Sequence, residues 1–267
     1  MTDIHYTKKY NAPKAFEKVI DTVNKMQPDF VLFGGDMIYD ALRVPESEAI
    51  SYAKDFSEAI KKINAPKYYA VGNHEHYSLY GKNPDTTNVL YGKKYFEYFW
   101  GKRYYSFDYQ GWHFITLDNI LLTEDRKYKG KIDSLQVNWL KKDLSSVPEN
   151  TPIAILVHVP LITTLTQWYE GGTKANDKKI AAEDSEEILK LFKNKNLRLI
   201  LQGHLHYFEA LNIKDRTLII TAPSVSGRWW QGKQHDVEEG FIRFEINGDK
   251  ISYDYIDYGW EATPWKE

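Results

Sequence analysis

Six short apolar runs in this sequence end in small or polar residues: DFVLFGGD, KYYAVGNH, WHFITLDN, PIAILVHV, LRLILQGH and TLIITAPS. Runs that are continuously apolar, rather than alternating, suit strands covered on both faces, and they restrict the chain to layered folds with sheet inside. Helical stripes lie between several of them. Phe16, Val19, Ile20, Val23 and Met26 share one face, as do Ala49, Ala53, Phe56, Ile60 and Ile63, and Ile188, Leu189 and Phe192 repeat the pattern. At Asp133 the stretch Asp-Ser-Leu-Gln reads as a capping box opening a helix with Val137, Leu140 and Leu144 on its apolar side. The alternation of helix and strand is clear up to Gly72, whereas residues 103–117 and 241–256 read as antiparallel hairpins, the second turning at Asn247-Gly248. The expected architecture is one α/β domain over residues 1–267, a two-sheet mixed sandwich flanked by helices. A hydrophobic fraction of 42% in 267 residues supplies a core of that size.

The residues that end the runs are the candidates for chemistry: Asp36, Asn73 with His74, His158, and His204 with His206, joined by Asp3 and His5 from the N-terminus. In α/β sheets the ligand crevice lies beyond the carboxyl ends of the strands, where residues remote in sequence converge. Five of the eight histidines obey this placement, which makes chance a poor account of it. With no cysteine in the chain, disulfides, thiolate zinc sites and cysteine nucleophiles are excluded, so any metal rests on nitrogen and oxygen. Two carboxylates, an amide oxygen and four imidazoles suit Mn²⁺, Fe²⁺ or Zn²⁺ and are too many donors for one such ion. Two ions sharing a carboxylate fit better.

The stretches Asp3-Ile4-His5, Gly35-Asp36, Gly72-Asn73-His74-Glu75, His158 and Gly203-His204-Leu205-His206 stand in this order along the chain. The set resembles the five ordered motifs of the calcineurin-like metallophosphoesterases: D-x-H, G-D, G-N-H-[DE], H and G-H-x-H. Each motif is weak alone; together they are highly specific. The resemblance implies the metallo-dependent phosphatase fold, an α/β/β/α sandwich. It implies that Asp3, His5 and His206 hold one metal, that Asn73, His158 and His204 hold the other, and that Asp36 bridges them. His74 is implied to act on the substrate phosphate, as electrostatic stabiliser or as proton donor to the leaving group. Two cations roughly 3.5–4 Å apart lower the pKa of a shared water toward about 7 and clamp phosphoryl oxygens. The expected reaction is therefore hydrolysis of a phosphate ester by a hydroxide held between divalent or trivalent Mn, Fe or Zn ions. The resemblance favours phosphodiesters, including cyclic nucleotides, over monoesters.

Other readings compete. Gly35-Asp36-Met37-Ile38-Tyr39 also matches the G-D-x-x-Y motif of purple acid phosphatases, where the tyrosine binds ferric iron. Those enzymes lack the histidine of D-x-H, which this chain has as His5, so Tyr39 is expected beside the site rather than in it. A phosphomonoesterase of that type is one alternative, and a catalytically weak metal-binding scaffold is another, against which His74 speaks. The balance of 35 Lys and Arg against 37 Asp and Glu, net −2, gives no general attraction for nucleic acid, and no basic stripe marks a duplex path. No apolar run reaches the roughly 20 residues of a membrane helix. A small phosphate ester is the expected partner.

Asn73, Arg228 and His76 are the candidates for touching that ester: Asn73 from the third motif, His76 just after it and outside any motif, and Arg228 from the loop SGRWWQG, which reads equally as a packed loop or as a phosphate contact with its tryptophans forming an apolar shelf. His113 is expected in a sheet, and residues 83–89 and 170–178 as loops. In the family the D-x-H motif ends a first strand inside the sheet, whereas only Met1 and Thr2 precede Asp3 here. The first strand is thus expected to be missing, leaving Asp3 and His5 on a loosely held arm, and a segment preceding Met1 would have room for an export signal. The alternative is that residues 1–5 form a stub sufficient to place both side chains.

Overall fold

The computed structural model describes residues 1–262. In chain order its elements are α1 (Ala12–Met26), β1 (Val31–Phe33), α2 (Glu46–Ala59), β2 (Lys67–Tyr69), α3 (Lys94–Trp100), β3 (Tyr105–Tyr109), β4 (Trp112–Thr116), β5 (Ile120–Leu122), β6 (Tyr128–Gly130), α4 (Ser134–Ser146), β7 (Pro152–Leu156), α5 (Leu165–Glu170), α6 (Ser185–Leu191), β8 (Asn196–Gln202), β9 (Glu209–Ile213), β10 (Thr217–Thr221), β11 (Phe241–Asn247) and β12 (Lys250–Ile256). All six apolar runs are strands. Both expected hairpins form, β3 against β4 and β11 against β12, with Gly248 at φ 59 in the turn of the second.

A six-stranded mixed sheet in the order β3-β4-β7-β8-β10-β9 is the main layer. Its inner strands β4, β7, β8 and β10 are covered on both faces, as their continuous apolar runs require, while the edge strands β3 and β9 are more exposed. On one face Ile115, Ile153, Ile155, Leu197, Ile200 and Ile219 pack with Leu140 and Leu144 of α4 and Ile188 of α6. On the other, Phe114, Ala154, Leu156, Leu199, Leu201 and Ile220 meet a second layer made of the pairs β1-β2 and β11-β12. In β8 the register shifts against the Ile153/Ala154 step of β7, so Leu197 and Ile200, three residues apart, face the same way. Beyond β1, Val31 and Phe33 pack on α1, α2 and α3 through Phe16, Phe56 and Phe96. The order of layers is helices, split sheet, six-stranded sheet, helices, in agreement with the expected α/β/β/α sandwich.

The second layer is open between β1 and β11. A cavity of about 450 Å³ occupies the gap, lined by Leu32, Trp112, Phe114, Leu199, Ile242 and Phe244, with Met1 beside it. Residues 1–6 enter at the end of this gap nearest the strand termini. They form no strand, but Thr2 bridges Ser224 and Tyr6 bridges Ile38, both in parallel.

The helix at Asp133 starts as expected, with the Asp133 carboxylate accepting from the Gln136 N–H at 2.9 Å. The reciprocal half of the capping box does not form. The buried Gln136 amide instead pairs with the backbone of Asp118, donating to its carbonyl at 2.7 Å and accepting from its N–H at 2.8 Å. Among the described residues no helix is long and apolar enough to cross a membrane.

Candidate metal centre

Asp3, His5, Asp36, Asn73, His158, His204 and His206 converge beyond the strand ends into one buried cluster, with His74 at its edge. Asp36 stands in the middle. Its Oδ2 lies 3.2 Å from His158 Nε2 and 3.9 Å from both His5 Nε2 and His74 Nε2. On one side of it His206 Nε2 is 3.0 Å from His5 Nε2 and 3.5 Å from Asp3 Oδ1. On the other, His158 Nε2 is 3.2 Å from both Asn73 Oδ1 and His204 Nδ1.

The arm that carries Asp3 and His5 is not loose. On one flank Asp3 N–H donates to Gly35 O at 3.0 Å, His5 N–H to Asp36 O at 2.9 Å and Tyr6 N–H to Met37 O at 2.9 Å. On the other, Val225 N–H donates to Thr2 O at 3.1 Å, while the hydroxyls of Ser224 and Ser226 both donate to Asp3 O, at 2.8 and 2.9 Å. Asp3 and His5 are fully buried. The expectation of a weakly held arm is therefore corrected: the stub gains its rigidity from neighbours on both sides, one of them more than 200 residues away. Gly203 makes this possible, because a Cβ there would meet Thr2 Oγ1 at 2.2 Å.

A second device fixes Asp36 relative to Asn73. The fully buried Glu75 carboxylate accepts from the backbone N–H groups of Asp36 at 3.0 Å, Met37 at 2.7 Å, Ile38 at 3.2 Å and Gly72 at 2.8 Å. Burial and the Asp36 charge push Glu75 up to about 7. At Gly72 a Cβ would lie 2.2 Å from Asp36 N and Oδ1, so only glycine lets the two loops approach this closely. Of the cluster, Asp3, His5, Asp36, His204 and His206 all have φ between 46° and 72°, in the left-handed region. Such conformations cost about 1–3 kcal/mol each and persist only where the surroundings enforce them, as at functional sites.

Whether the cluster suits a cation is decided by its lone pairs. His158 Nδ1 faces Gly34 O at 2.8 Å, His206 Nδ1 faces Gly227 O at 2.6 Å and His204 Nε2 faces Lys179 O at 2.8 Å. Carbonyls only accept, so these nitrogens carry the protons and the opposite ring nitrogens turn lone pairs inward. In the neutral rings, His158 Nε2 and His204 Nδ1 then face each other as acceptors with no proton between them. Asp3 Oδ2 is satisfied by Thr2 Oγ1 at 2.7 Å and His204 N–H at 2.9 Å, while Asp3 Oδ1 is buried with no hydrogen-bond partner among the described residues. Inward lone pairs, an orphaned carboxylate oxygen and a central carboxylate are what a pair of cations satisfies. Without cations, burial works against a charge on His158 but Asp36 more than offsets it, pushing the imidazole up to about 9. Burial and the adjacent His158 pull His204 down to about 4.

A model of the calcineurin-like phosphoesterase family matches residues 1–208. The chain belongs to the calcineurin-like phosphoesterases. Its fold is that of a dimetal phosphatase, and its clustered histidines and aspartates are groups that could hold metal ions. Among curated relatives, it is 24% identical over 194 residues to a probable cyclic nucleotide phosphodiesterase of Fibrobacter succinogenes, covering 72% of this chain and 63% of that one. It is 21% identical over 252 residues to the 3′,5′-cyclic adenosine monophosphate phosphodiesterase CpdA of Escherichia coli, covering 94% and 76%. The chain thus spans less than two thirds of the Fibrobacter relative. Among solved structures, a dimetal phosphatase from Danio rerio superposes with a TM-score of 0.64 at 13% identity, over 96% of this chain and 94% of that one. GAP50, described as the anchor in the inner membrane complex of Plasmodium, gives 0.61 at 17% identity, over 97% and 83%.

In this calcineurin-like phosphoesterase the remaining candidates fall in different places. His74 is partly exposed at the edge of the cluster, its Nδ1 3.3 Å from Asp40 Oδ1. Burial lowers its pKa, but Asp36 and Asp40 together raise it further. Arg228 is exposed on the loop that follows Ser226. His76 is corrected: it is fully buried, with Nδ1 3.2 Å from Asn73 O, and so has no surface to offer an ester. Tyr39 is half-buried outside the cluster; burial and a hydrogen bond with Tyr10 push its phenol up to about 12. His113 lies in β4 between Asp108 at 2.7 Å and Asp143 at 2.9 Å. Sequence reasoning assigned no role to Glu75 or Asp40, and it left the two tryptophans of the SGRWWQG loop open between a substrate shelf and a packed loop, without naming His5 as their partner. Glu75 sits inside a recognised motif, and Asp40 four residues after Asp36, so spacing was the available signal for both.

Proposed function

We propose that the chain hydrolyses phosphodiesters, cyclic nucleotides among them, at this cluster. The observation that carries the reading is the convergence of two donor sets on one carboxylate, with a hydrogen-bonded histidine beside it. Asp3, His5 and His206 would hold one ion, Asn73, His158 and His204 the other, and Asp36 both. Mn, Fe and Zn are the metals that suit nitrogen and oxygen donors of this kind. When bound, such ions supply Lewis acidity toward phosphoryl oxygens and an activated water.

The chain's own groups do the rest. Glu75 and the seams on either side of residues 1–6 keep the donors apart at fixed distances. Asn73, whose Oδ1 lies 3.2 Å from His158 Nε2, would also touch the phosphate. Asp40 orients His74 so that Nε2 faces the Asp36 carboxylate and, with an ester bound, the departing oxygen, to which it gives a proton or a hydrogen bond. Arg228, exposed and next to Trp229 in sequence, would be a phosphate contact. The names of the Fibrobacter and Escherichia relatives support a diester substrate.

The test is hydrolysis of bis(p-nitrophenyl) phosphate, 3′,5′-cyclic AMP and p-nitrophenyl phosphate by Mn²⁺-loaded protein. Faster turnover of the diesters is expected. Turnover of the monoester alone would favour a purple-acid-phosphatase type of activity. Two bound ions with no turnover of any ester would leave the scaffold reading.

A further inference from the structure

Four of the imidazoles around Asp36 have their outer nitrogen held by an oxygen: His158 by Gly34 O, His204 by Lys179 O, His206 by Gly227 O and His74 by Asp40. His5 does not. Its Nδ1 is buried with no hydrogen-bond partner among the described residues. Metal-ligating histidines almost always use that second nitrogen to fix the ring, so His5 needs another means of orientation.

The SGRWWQG loop provides it. The Trp229 ring lies face to face with the His5 ring, centroids 3.7 Å apart and planes 22° from parallel, and meets His74 and Tyr39 edge-on at 4.8 and 5.1 Å. Trp230, almost fully buried, donates its indole N–H to His5 O at 3.0 Å. One tryptophan thus holds the side chain and the next holds the backbone of the same residue. The loop reaches this arrangement through φ values of 55° at Trp229 and 68° at Trp230, rare for bulky residues. Two such residues in succession persist only where their surroundings hold them.

We propose that Trp229 is the positioning residue of the half-site formed by Asp3, His5 and His206, its stacked indole doing for His5 what a carbonyl does for His158, His204 and His206. The inference rests on the metal reading of that half-site. An imidazole bound to a cation is electron-poor, so its attraction to the indole face grows when the ion arrives. The stack therefore selects the loaded form rather than merely filling space.

Titration of the metal-free protein with Co²⁺, read by bound ions per chain and by tryptophan emission, tests this. The wild type should take up two ions and change its emission as it does so. Trp229→Ala should lower affinity at one half-site by about 10–100-fold and leave the other unchanged, so that it retains one ion where the wild type retains two. Trp229→Phe, whose ring can still stack, should recover two ions while diminishing the emission change that accompanies loading. If Trp229→Ala binds both ions as tightly as the wild type, or loses both together, the proposal fails. Should that variant not fold, Trp229→Phe decides: an undiminished emission change on loading also overturns it. A wild-type chain that binds no Co²⁺ would remove the metal reading and this proposal at once, whereas normal wild-type loading with an unaffected variant removes the proposal alone.

Discussion

The two sides of the cluster are built differently although their donors are nearly the same. Asn73, His158 and His204 project from segments that directly follow β2, β7 and β8, strands with hydrogen-bonded neighbours; for β7 and β8 these include each other, and His158 and His204 each have the outer nitrogen fixed by a carbonyl. Asp3 and His5 sit on an arm that belongs to no named strand, fastened on one flank by residues 35–37 and on the other by residues 224–230. His206 combines both kinds of support, since a carbonyl holds its ring but that carbonyl belongs to Gly227, in the same distant loop. The difference teaches that donor chemistry and donor support are separable. One half-site inherits its geometry from a sheet, the other from a seam closed by distant loops.

That contrast can be broken or sharpened by substitution. Asp36→Asn removes the charge common to both halves and should reduce diester turnover by about 10³-fold, with uptake of both ions weakened, measured by steady-state kinetics and metal analysis; loss confined to one ion would argue that Asp36 does not bridge. His74→Ala should lower turnover by about 10²-fold while both ions stay bound as tightly as before. Glu75→Gln places an amide against four backbone N–H groups that now share one carboxylate. It should weaken both half-sites by about tenfold, the lower end of the range for supporting groups, and lower the melting temperature. An effect restricted to the Asp3 side would show that Glu75 does not set the spacing between the halves. Ser226→Ala removes one of two hydroxyls from Asp3 O and should cost about 1 kcal/mol by thermal or urea unfolding. Its effect on ion uptake should be a few-fold and limited to the half-site of Asp3, His5 and His206; an equal effect on both would erase the contrast.

Much of this was legible in the chain. Strands covered on both faces announce themselves as unbroken apolar runs, and the donors stand at the ends of those runs because the strand termini open into the crevice. What escaped was whatever depends on partners far apart in sequence. Nothing local in MTDIHY signals that Ser224, Ser226 and Trp230 will hold it, since a hydrogen bond between the two ends of the chain leaves no periodicity. Gln136 illustrates the same limit on a smaller scale. Its position predicted a cap, but burial beside Asp118 offered its amide two backbone partners and overrode the local pattern. His76 looked available because it follows His74 by two residues, and packing, not spacing, put it inside.

The seam between residues 1–6 and 224–230 also sets an order of events. All seven donors have been synthesised once His206 is made, and the family match itself ends at residue 208. The carbonyl, hydroxyls and indoles that hold Asp3, His5 and His206 in place come later, from Ser224 to Trp230. A nascent chain therefore makes the carbonyls that hold His158 and His204 before the groups that hold Asp3, His5 and His206, and the arm of residues 1–6 waits for a late segment before it reaches its working position.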